Sequence, residues 1–543
     1  MKPFFSKTMK SLGGGAGVCL FLIALFVTYC CSQMLEWDQT GNLIAHSYSV
    51  WGDWSVHFTF ISQFRERGWH WIFSDNPLFQ GTPFRYPFLS HLLTEGFALF
   101  GSFLGFWGSQ EVVVPTFILS LLLIFILPFA IFYGIRSLGV PIWTSVMATF
   151  IFLFSGGVEF LDSAVNPNFP LTNQPGGPFF TNFLLFEFFP QRAFLFGIIS
   201  LLMMGGMILR NPSYSRVILG LLLFPFLLCL HVHSWIAMAI LLMCLLICHP
   251  KANKRRDLFK FGFGIAFISV VLMKVYLFRE SQPAALKEEW PLFSPGWFPD
   301  QPNLFSFWLY QTGTFIPLAL YGFYLHRKNA IFKPFFGTGA IIFILAFFVR
   351  PQPAAYDNLK LFTYSFLFLS PFVALALESF LRNKFKAPLA FLLLISLTAS
   401  GLSDAVFFSK KKENALFFSR TEFDLAKEWK TLRSSSDETV IIAPKHNHWV
   451  PCLSGSPVWM GYAGWLWSWG INYRPREQEV KEVLLGTASA KKIIEAYHLH
   501  YAIFNQADQI DRQQVNLAYF ENNYKTILSK SGWFAFDLTQ SAH

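Results

Sequence analysis

Apolar runs of about 20 residues, long enough to cross a bilayer, recur along the chain as far as Phe407, separated by polar connections. The pattern predicts spans at 15–34, 112–133, 141–157, 192–209, 217–230, 232–249, 258–277, 305–325, 330–349, 361–380 and 387–407. Two of them meet almost directly at Leu230-His231-Val232-His233. The stretch 91–108 is also apolar, but it carries His91, Glu95 and several glycines. It reads as an interfacial helix lying along the membrane rather than across it.

Beyond Phe407 the long apolar runs end and charged residues mix with short periodic segments. Thr421, followed by Asp424 and an amphipathic run to Leu432, predicts a capped helix. Thr439 to Ala443 predicts a buried strand. Helical patterns at 475–485 and 489–498 follow, then strand-like segments at Tyr501 to Phe504, 524–529 and 533–538. The expected fold class is therefore mainly α: a polytopic membrane helix bundle of roughly eleven spans over residues 1–407, followed by a small C-terminal α/β extracytoplasmic domain over 408–543.

Composition agrees with this picture: of 543 residues, 53% are hydrophobic and only 14% charged. A net charge of +10 raises the question of nucleic acid. The basic residues, however, sit in short loops between apolar runs, where they set membrane topology instead. Lys251 to Arg256, His326 to Lys328 and Arg382 to Lys386 alternate with longer loops at 35–111, 158–191, 278–304 and 350–360. That alternation places the N-terminus in the cytoplasm and the C-terminal domain outside. The first span is long for a signal peptide and reads as uncleaved. The seven cysteines form no disulfide framework or CxxC site.

Polar groups at membrane depth are costly and face a cavity or a partner. On the expected topology many gather at the outer face. Asp53, in Gly52-Asp53-Trp54, precedes His57 by one helical turn. Such a pair can take a proton from a hydroxyl or hold a divalent cation, although Asp53 could equally cap a helix. Arg85 and Tyr86 follow in the same loop. Arg192, after Pro190-Gln191, and Lys360, after Asp357-Asn358-Leu359, stand where the chain re-enters the membrane. A guanidinium fork and an ammonium there suit a lipid phosphate; snorkelling at a helix end is the plainer alternative. His231 and His233 are too close in sequence to share a helix face, but a tight outer turn could present both. In the C-terminal domain, His446, Asn447 and His448 leave the strand at 439–443, and Trp465 and Trp467 lie in an aromatic run. Such aromatic faces suit sugar rings or a lipid surface.

These blocks resemble the GT-C superfamily of polyprenyl-phosphate-sugar glycosyltransferases, and most closely a set of bacterial GT-C-like multi-pass membrane proteins. The resemblance rests on Gly52-Asp53-Trp54, Asn76-Pro77, Arg85-Tyr86-Pro87-Phe88-Leu89, Pro190-Gln191-Arg192, His231-Val232-His233-Ser234, Asp357-Asn358-Leu359-Lys360, His446-Asn447-His448 and Gly464-Trp465-Leu466-Trp467. It implies an outer-face cavity, an acid at the position of Asp53 and a sugar donor carried on undecaprenyl or dolichyl phosphate. The second acid often found beside the first is absent, since Trp54 follows Asp53. Glu159 or Asp162 in the next outer loop is the candidate to complete a divalent-cation site with Asp53.

The expected function is inverting sugar transfer at the outer membrane face, with Asp53 as general base. His57, Arg85, Tyr86, Gln191, Arg192, His231, His233, Asp357, Asn358 and Lys360 would serve the lipid-phosphate donor. His446, Asn447, His448, Trp465 and Trp467 would face the acceptor, whether protein, lipid or glycan. The competing readings are a transporter or flippase of lipid-linked substrates, which would need a polar path into the cytoplasmic half, and a non-catalytic scaffold for envelope assembly.

Overall fold

The computed structural model describes residues 14–106, 110–158, 183–210, 214–248, 252–272, 293, 295, 308, 311–350, 355–410 and 415–542. Helices follow as α1 (Gly14–Ser32), α2 (Tyr48–Arg67), α3 (Leu89–Phe103), α4 (Val113–Arg136), α5 (Ile142–Leu153), α6 (Arg192–Arg210), α7 (Tyr214–Leu230), α8 (Val232–Ile247), α9 (Ala252–Leu272), α10 (Phe315–His326), α11 (Phe332–Phe348), α12 (Ala355–Leu381) and α13 (Ala387–Lys410). Apart from α2 and α3, each corresponds to one expected span. Five of them, α1, α4, α6, α12 and α13, hold a stretch long and apolar enough to cross a membrane. The other six are shorter apolar helices.

Close contacts divide the chain into two units: Met1–Met34, Ser120–Lys274 and Pro291–Lys412 form the first, and Leu35–Leu119, Val275–Trp290 and Glu413–His543 the second. In the first, α12 is the axis, with 94% of its most apolar window buried. Aromatic side chains fill the space around it, among them Phe315 against Phe366 at 4.4 Å and Phe335 against Phe368 at 4.7 Å between ring centroids. Helices in lipid approach one another through small residues. Gly322 of α10 shows this directly, because a Cβ added there would run into the Phe372 carbonyl of α12.

The second unit is built on two sheets. Strands β1 (Leu35–Trp37), β2 (Leu43–Ala45) and β5 (Ala415–Phe418) pair antiparallel, so the segment just after the first span and the start of the C-terminal region share one sheet. Hydropathy alone assigned these to different domains, since it reads burial and carries no pairing information. Between β2 and β5 in sequence lies a short hairpin, β3 (Asp75–Asn76) and β4 (Phe79–Pro83).

The larger sheet has the order β8-β9-β7-β6, from β6 (Val440–Ile442), β7 (Tyr501–Asn505), β8 (Tyr524–Lys530) and β9 (Trp533–Ser541). The β6–β7 pair is parallel and the others antiparallel. Ile441, Phe504, Phe520 and Phe536 lie in its core.

Helix α14 (Arg420–Leu432) has a capping box, but at Ser419 and Glu422 rather than at Thr421 and Asp424. Ser419 lies two residues earlier and is the residue held in extended backbone, which a cap requires. Helix α2 is fastened to the C-terminal region by Glu66, which meets Lys430 at 2.7 Å and Arg433 at 2.6 Å. Ser62 Oγ donates to the Cys452 carbonyl at 2.7 Å and Gln63 Nε2 to that of Gly455 at 2.8 Å.

Overpacking a close contact costs roughly 1–3 kcal/mol, so Gly322→Val is expected to broaden or shift the size-exclusion peak of the detergent-purified chain. Gly264→Val, at a position where an added Cβ meets nothing within 4 Å, is expected to leave that peak unchanged. Matching profiles for the two variants would contradict the close approach of α10 and α12.

Candidate functional site

In the second unit, α2 carries Asp53 and His57. The helix begins at Tyr48 with Ser47 as its cap. Asp53 therefore sits in the second turn, half-buried, and is not the cap. His57 is fully buried, and its Nδ1 pairs with Nε2 of His91 on α3 at 2.8 Å, the two rings stacked. Since Asp53 and His57 are one turn apart, they share a face of α2. Tyr86 closes this region, with ring centroids 5.2 Å from Phe60, 5.9 Å from His91 and 5.8 Å from Trp469. Arg85, beside it, is half-buried.

The C-terminal loops add an aromatic row to the same unit. Trp51, two residues before Asp53, packs its ring on His446 at 3.4 Å. His446 in turn faces Tyr462 at 5.7 Å, and Tyr462 faces Trp465 at 5.4 Å. Trp467 is 38% exposed. Burial, reinforced by the charge of Lys445, lowers the His446 pKa to about 4. The imidazole is therefore neutral across the physiological range and serves as a hydrogen-bonding group rather than a cation. Asn447 and His448 have other surroundings: Asn447 Nδ2 donates to the Phe417 carbonyl at 2.8 Å, while His448 is fully buried and its Nδ1 accepts from the Val450 N–H at 3.2 Å.

In the first unit three distant segments meet. A π-helical turn, Leu184–Phe188, carries Glu187 and leads through Pro190-Gln191 into α6, whose first residue is Arg192. The Gln191 N–H donates to the Glu187 carbonyl at 3.1 Å. Arg192 is 1% exposed and its Nε donates to Ser120 Oγ at 2.7 Å. His231 breaks the chain between α7 and α8 and is the N-cap residue of α8, in extended backbone. That break lets His231 and His233, which could not share a helix face, lie with ring centroids 5.1 Å apart.

His231 Nδ1 pairs with Ser234 Oγ at 3.0 Å, and Ser234 Oγ makes a short hydrogen bond to the Tyr364 hydroxyl. Phe194 stacks on the other side of His231 at 4.9 Å. Gly197 of α6 comes so close that a Cβ there would strike Ser234 Oγ. Lys360, buried one turn before Tyr364 on α12, lies within electrostatic reach of His231, as Glu187 does of Tyr364.

The structure thus brings Arg192, His231, His233 and Lys360 into the polar interior of one unit, and Asp53, His57, Tyr86, His446 and Trp465 into the other. Asp357 and Asn358 lie on the first turn of α12, with side chains outside the described residues, and Glu159 and Asp162 also fall outside them. Among the described residues no three of His, Cys, Asp and Glu gather as a metal site.

Sequence reasoning did not select His91, Glu187, Ser234 or Tyr364 for the site. His91 and Glu187 carried a usable signal, as ionisable groups inside otherwise apolar runs. Ser234 and Tyr364 carried none, because a hydroxyl in a span is common and gains meaning only from its neighbours.

No protein-family model and no curated protein sequence matches the chain. Solved structures do match. The archaeal oligosaccharyltransferase AglB from Archaeoglobus fulgidus, solved with an inhibitory peptide and a dolichol-phosphate, has a TM-score of 0.58 at 11% identity, covering 97% of this chain and 74% of that one. The arabinofuranosyltransferase AftD from Mycobacteria has a TM-score of 0.52 at 10% identity, covering 97% of this chain and 40% of that one. Both neighbours are GT-C glycosyltransferases, and the fold of this chain is the GT-C fold of an integral membrane protein.

Helix α3 turns Glu95 inward, 2% exposed, with Arg65 Nη1 of α2 at 3.4 Å. Burial raises the Glu95 pKa from 4.5 to about 7, against the lowering effect of Arg65. The folded chain then holds a proton that the unfolded chain releases near 4.5, so stability falls as pH rises through that window. Glu95→Gln is expected to remove this slope and raise the thermal-unfolding midpoint most clearly above pH 7. Identical midpoint–pH curves for the two proteins between pH 5 and 8 would contradict the buried, proton-holding carboxyl.

Proposed function

We propose that this chain is a glycosyltransferase that moves a sugar from a polyprenyl-phosphate-linked donor to an acceptor at the outer face of the membrane, with inversion. The observation that carries the reading is that two cations at the ends of apolar helices are buried, Arg192 at the start of α6 and Lys360 on α12, the second within electrostatic reach of His231. Cations are kept in such a setting where they meet an anion, and a lipid phosphodiester is the anion a bilayer delivers there. The fold supports the reading too, since the Archaeoglobus fulgidus neighbour was solved holding a dolichol-phosphate and, in another structure, an acceptor peptide.

In this mechanism Asp53 takes the proton of the acceptor hydroxyl as its oxygen forms a bond to the anomeric carbon. The bond from that carbon to the phosphate oxygen breaks, and its electron pair stays with the phosphate. Attack from the face opposite the leaving group inverts the anomeric centre. Arg192 and Lys360 stabilise the charge that develops on the departing lipid phosphate, an electrostatic role suited to a site that excludes water. His231, with Ser234 and Tyr364 fixing its Nδ1, offers a further hydrogen bond to the same group. Tyr86, His446 and Trp465 present aromatic and neutral polar surface to the acceptor.

The orientation inferred from the basic loops completes the proposal: N-terminus in the cytoplasm, C-terminal region outside, in a bacterial inner membrane.

Loss of a general base costs about 10²–10⁴-fold, so Asp53→Asn is expected to lower kcat by that factor while retaining donor binding. Arg192→Gln is expected instead to weaken retention of undecaprenyl phosphate, read by native mass spectrometry of the nanodisc-embedded chain. Full turnover in Asp53→Asn would remove the base assignment. Unchanged lipid-phosphate retention in Arg192→Gln would remove the donor-site assignment.

A further inference from the structure

Four helices of the first unit, α1, α5, α12 and α13, border a groove of about 680 Å³, with Ile23, Phe150, Leu381 and Leu394 contributed by each in turn. Its lining is apolar apart from Cys19, Thr144 and a single charged side chain, Glu378 of α12. Glu378 is 21% exposed; its Oε2 accepts from Thr144 Oγ1 at 2.7 Å and its Oε1 from Arg382 Nη2 at 2.6 Å. An ionised carboxylate has about four acceptor sites, so these two bonds leave roughly half of its capacity unused. Arg382, one turn further on and 74% exposed, sets a cation beside the acid.

The length of α12 fixes the level of this groove. Its apolar window Leu359–Leu381 has 23 residues, about 35 Å at 1.5 Å per residue, enough to pass the roughly 30 Å hydrocarbon layer. Lys360 stands in the first turn of that window and Glu378 in the last. The groove therefore lies at the membrane face opposite Arg192, His231 and Lys360. Trp143, 60% exposed on the first turn of α5, also lines it, and the basic bend from Arg382 to Lys386 follows directly after α12. Tryptophan and basic side chains together mark the headgroup level of a bilayer.

Three requirements on a ligand follow: an apolar body for the groove, an N–H donor with positive charge for Glu378, and an anion for Arg382. A purely anionic headgroup would set its charge against Glu378, and a choline headgroup has no N–H to donate. We propose that the groove binds a phospholipid with a primary-amine headgroup, phosphatidylethanolamine, its ammonium on Glu378, its phosphate on Arg382 and an acyl chain along Ile23, Phe150 and Leu394. A membrane helix of a second copy of the chain is the rival occupant. The site stands apart from sugar transfer, since it lies at the other membrane face and its test reads no turnover.

The full-length chain in mild detergent is titrated with phosphatidylethanolamine, its N,N-dimethyl derivative and phosphatidylcholine of matched acyl chains, and bound lipid is counted by native mass spectrometry. A hydrogen bond to a charged group corresponds to about tenfold tighter retention of phosphatidylethanolamine than of phosphatidylcholine, with the dimethyl derivative, which keeps one N–H, in between. Glu378→Gln is expected to level the three. A photoreactive benzoylphenylalanine in place of Leu22, at the rim of the groove, is expected to capture phosphatidylethanolamine. Equal retention of phosphatidylethanolamine and phosphatidylcholine by the wild-type chain, which needs no variant to fold, would overturn the proposal. So would a preference that survives in Glu378→Gln, or capture of a second chain in place of lipid at position 22.

Discussion

The structure depends on one constraint: a polar group placed in hydrocarbon must find its partners inside the protein, because no water is there to supply them. The first unit meets it by bringing the ends and breaks of its helices together. The chain leaves a π-helical turn at Phe188 and starts α6 on Arg192; it breaks at His231 to start α8; and it carries Lys360 and Tyr364 on successive turns of α12. Ser120 then accepts from Arg192 Nε, and Ser234 and Tyr364 pair with His231 Nδ1. Glycine at 197 lets α6 approach Ser234 closely enough for this to happen. A bundle built only to fill space would use apolar side chains at these positions, as it does around Phe315 and Phe335.

The second unit meets a different demand, which is to hold an acid and two imidazoles in fixed positions without a membrane around every side. Its solution is α2, clamped at its C-terminal end by Glu66 between Lys430 and Arg433 and along its length by the loop at 450–455. With the helix fixed, Asp53, His57 and the contact to His91 have little freedom. The aromatic row Trp51, His446, Tyr462 and Trp465 extends from the same helix into the C-terminal loops. Asp53 and the aromatic row therefore belong to one packed unit.

Much of this was legible in the sequence, and the reasons for success and failure are physical. The apolar helices follow from hydropathy, since burial of about 20 residues in lipid is a strong and local signal. The strands from 440 onward follow from short apolar runs with turn residues between them. The pairing of β2 with β5 was not legible, because residues 43–45 and 415–418 carry no local mark of a partner so far away in sequence. Arg192, His231 and Lys360 stand out as ionisable groups at the ends of spans, and Asp53 as an acid in the first outer loop. His57 was selected for its spacing from Asp53, yet its hydrogen-bond partner is His91, which belongs to a helix whose polar residues looked like interruptions in an apolar run. The cap of α14 moved from Thr421 to Ser419 because both sites match the pattern of a hydroxyl followed three residues later by an acid, and only backbone conformation separates them.

The central claim is that the buried cations hold a lipid phosphate that departs when the sugar is transferred. Phosphorus NMR on the nanodisc-embedded chain, supplied with a panel of undecaprenyl-phosphate monosaccharides and a cell-envelope extract as acceptor, tests this most directly. The account predicts that, for one donor, the phosphodiester signal is replaced by that of free undecaprenyl phosphate only when acceptor is present, and that the product sugar has the opposite anomeric configuration. A donor that binds yet stays intact with acceptor present, or a product that keeps the donor's configuration, would contradict it.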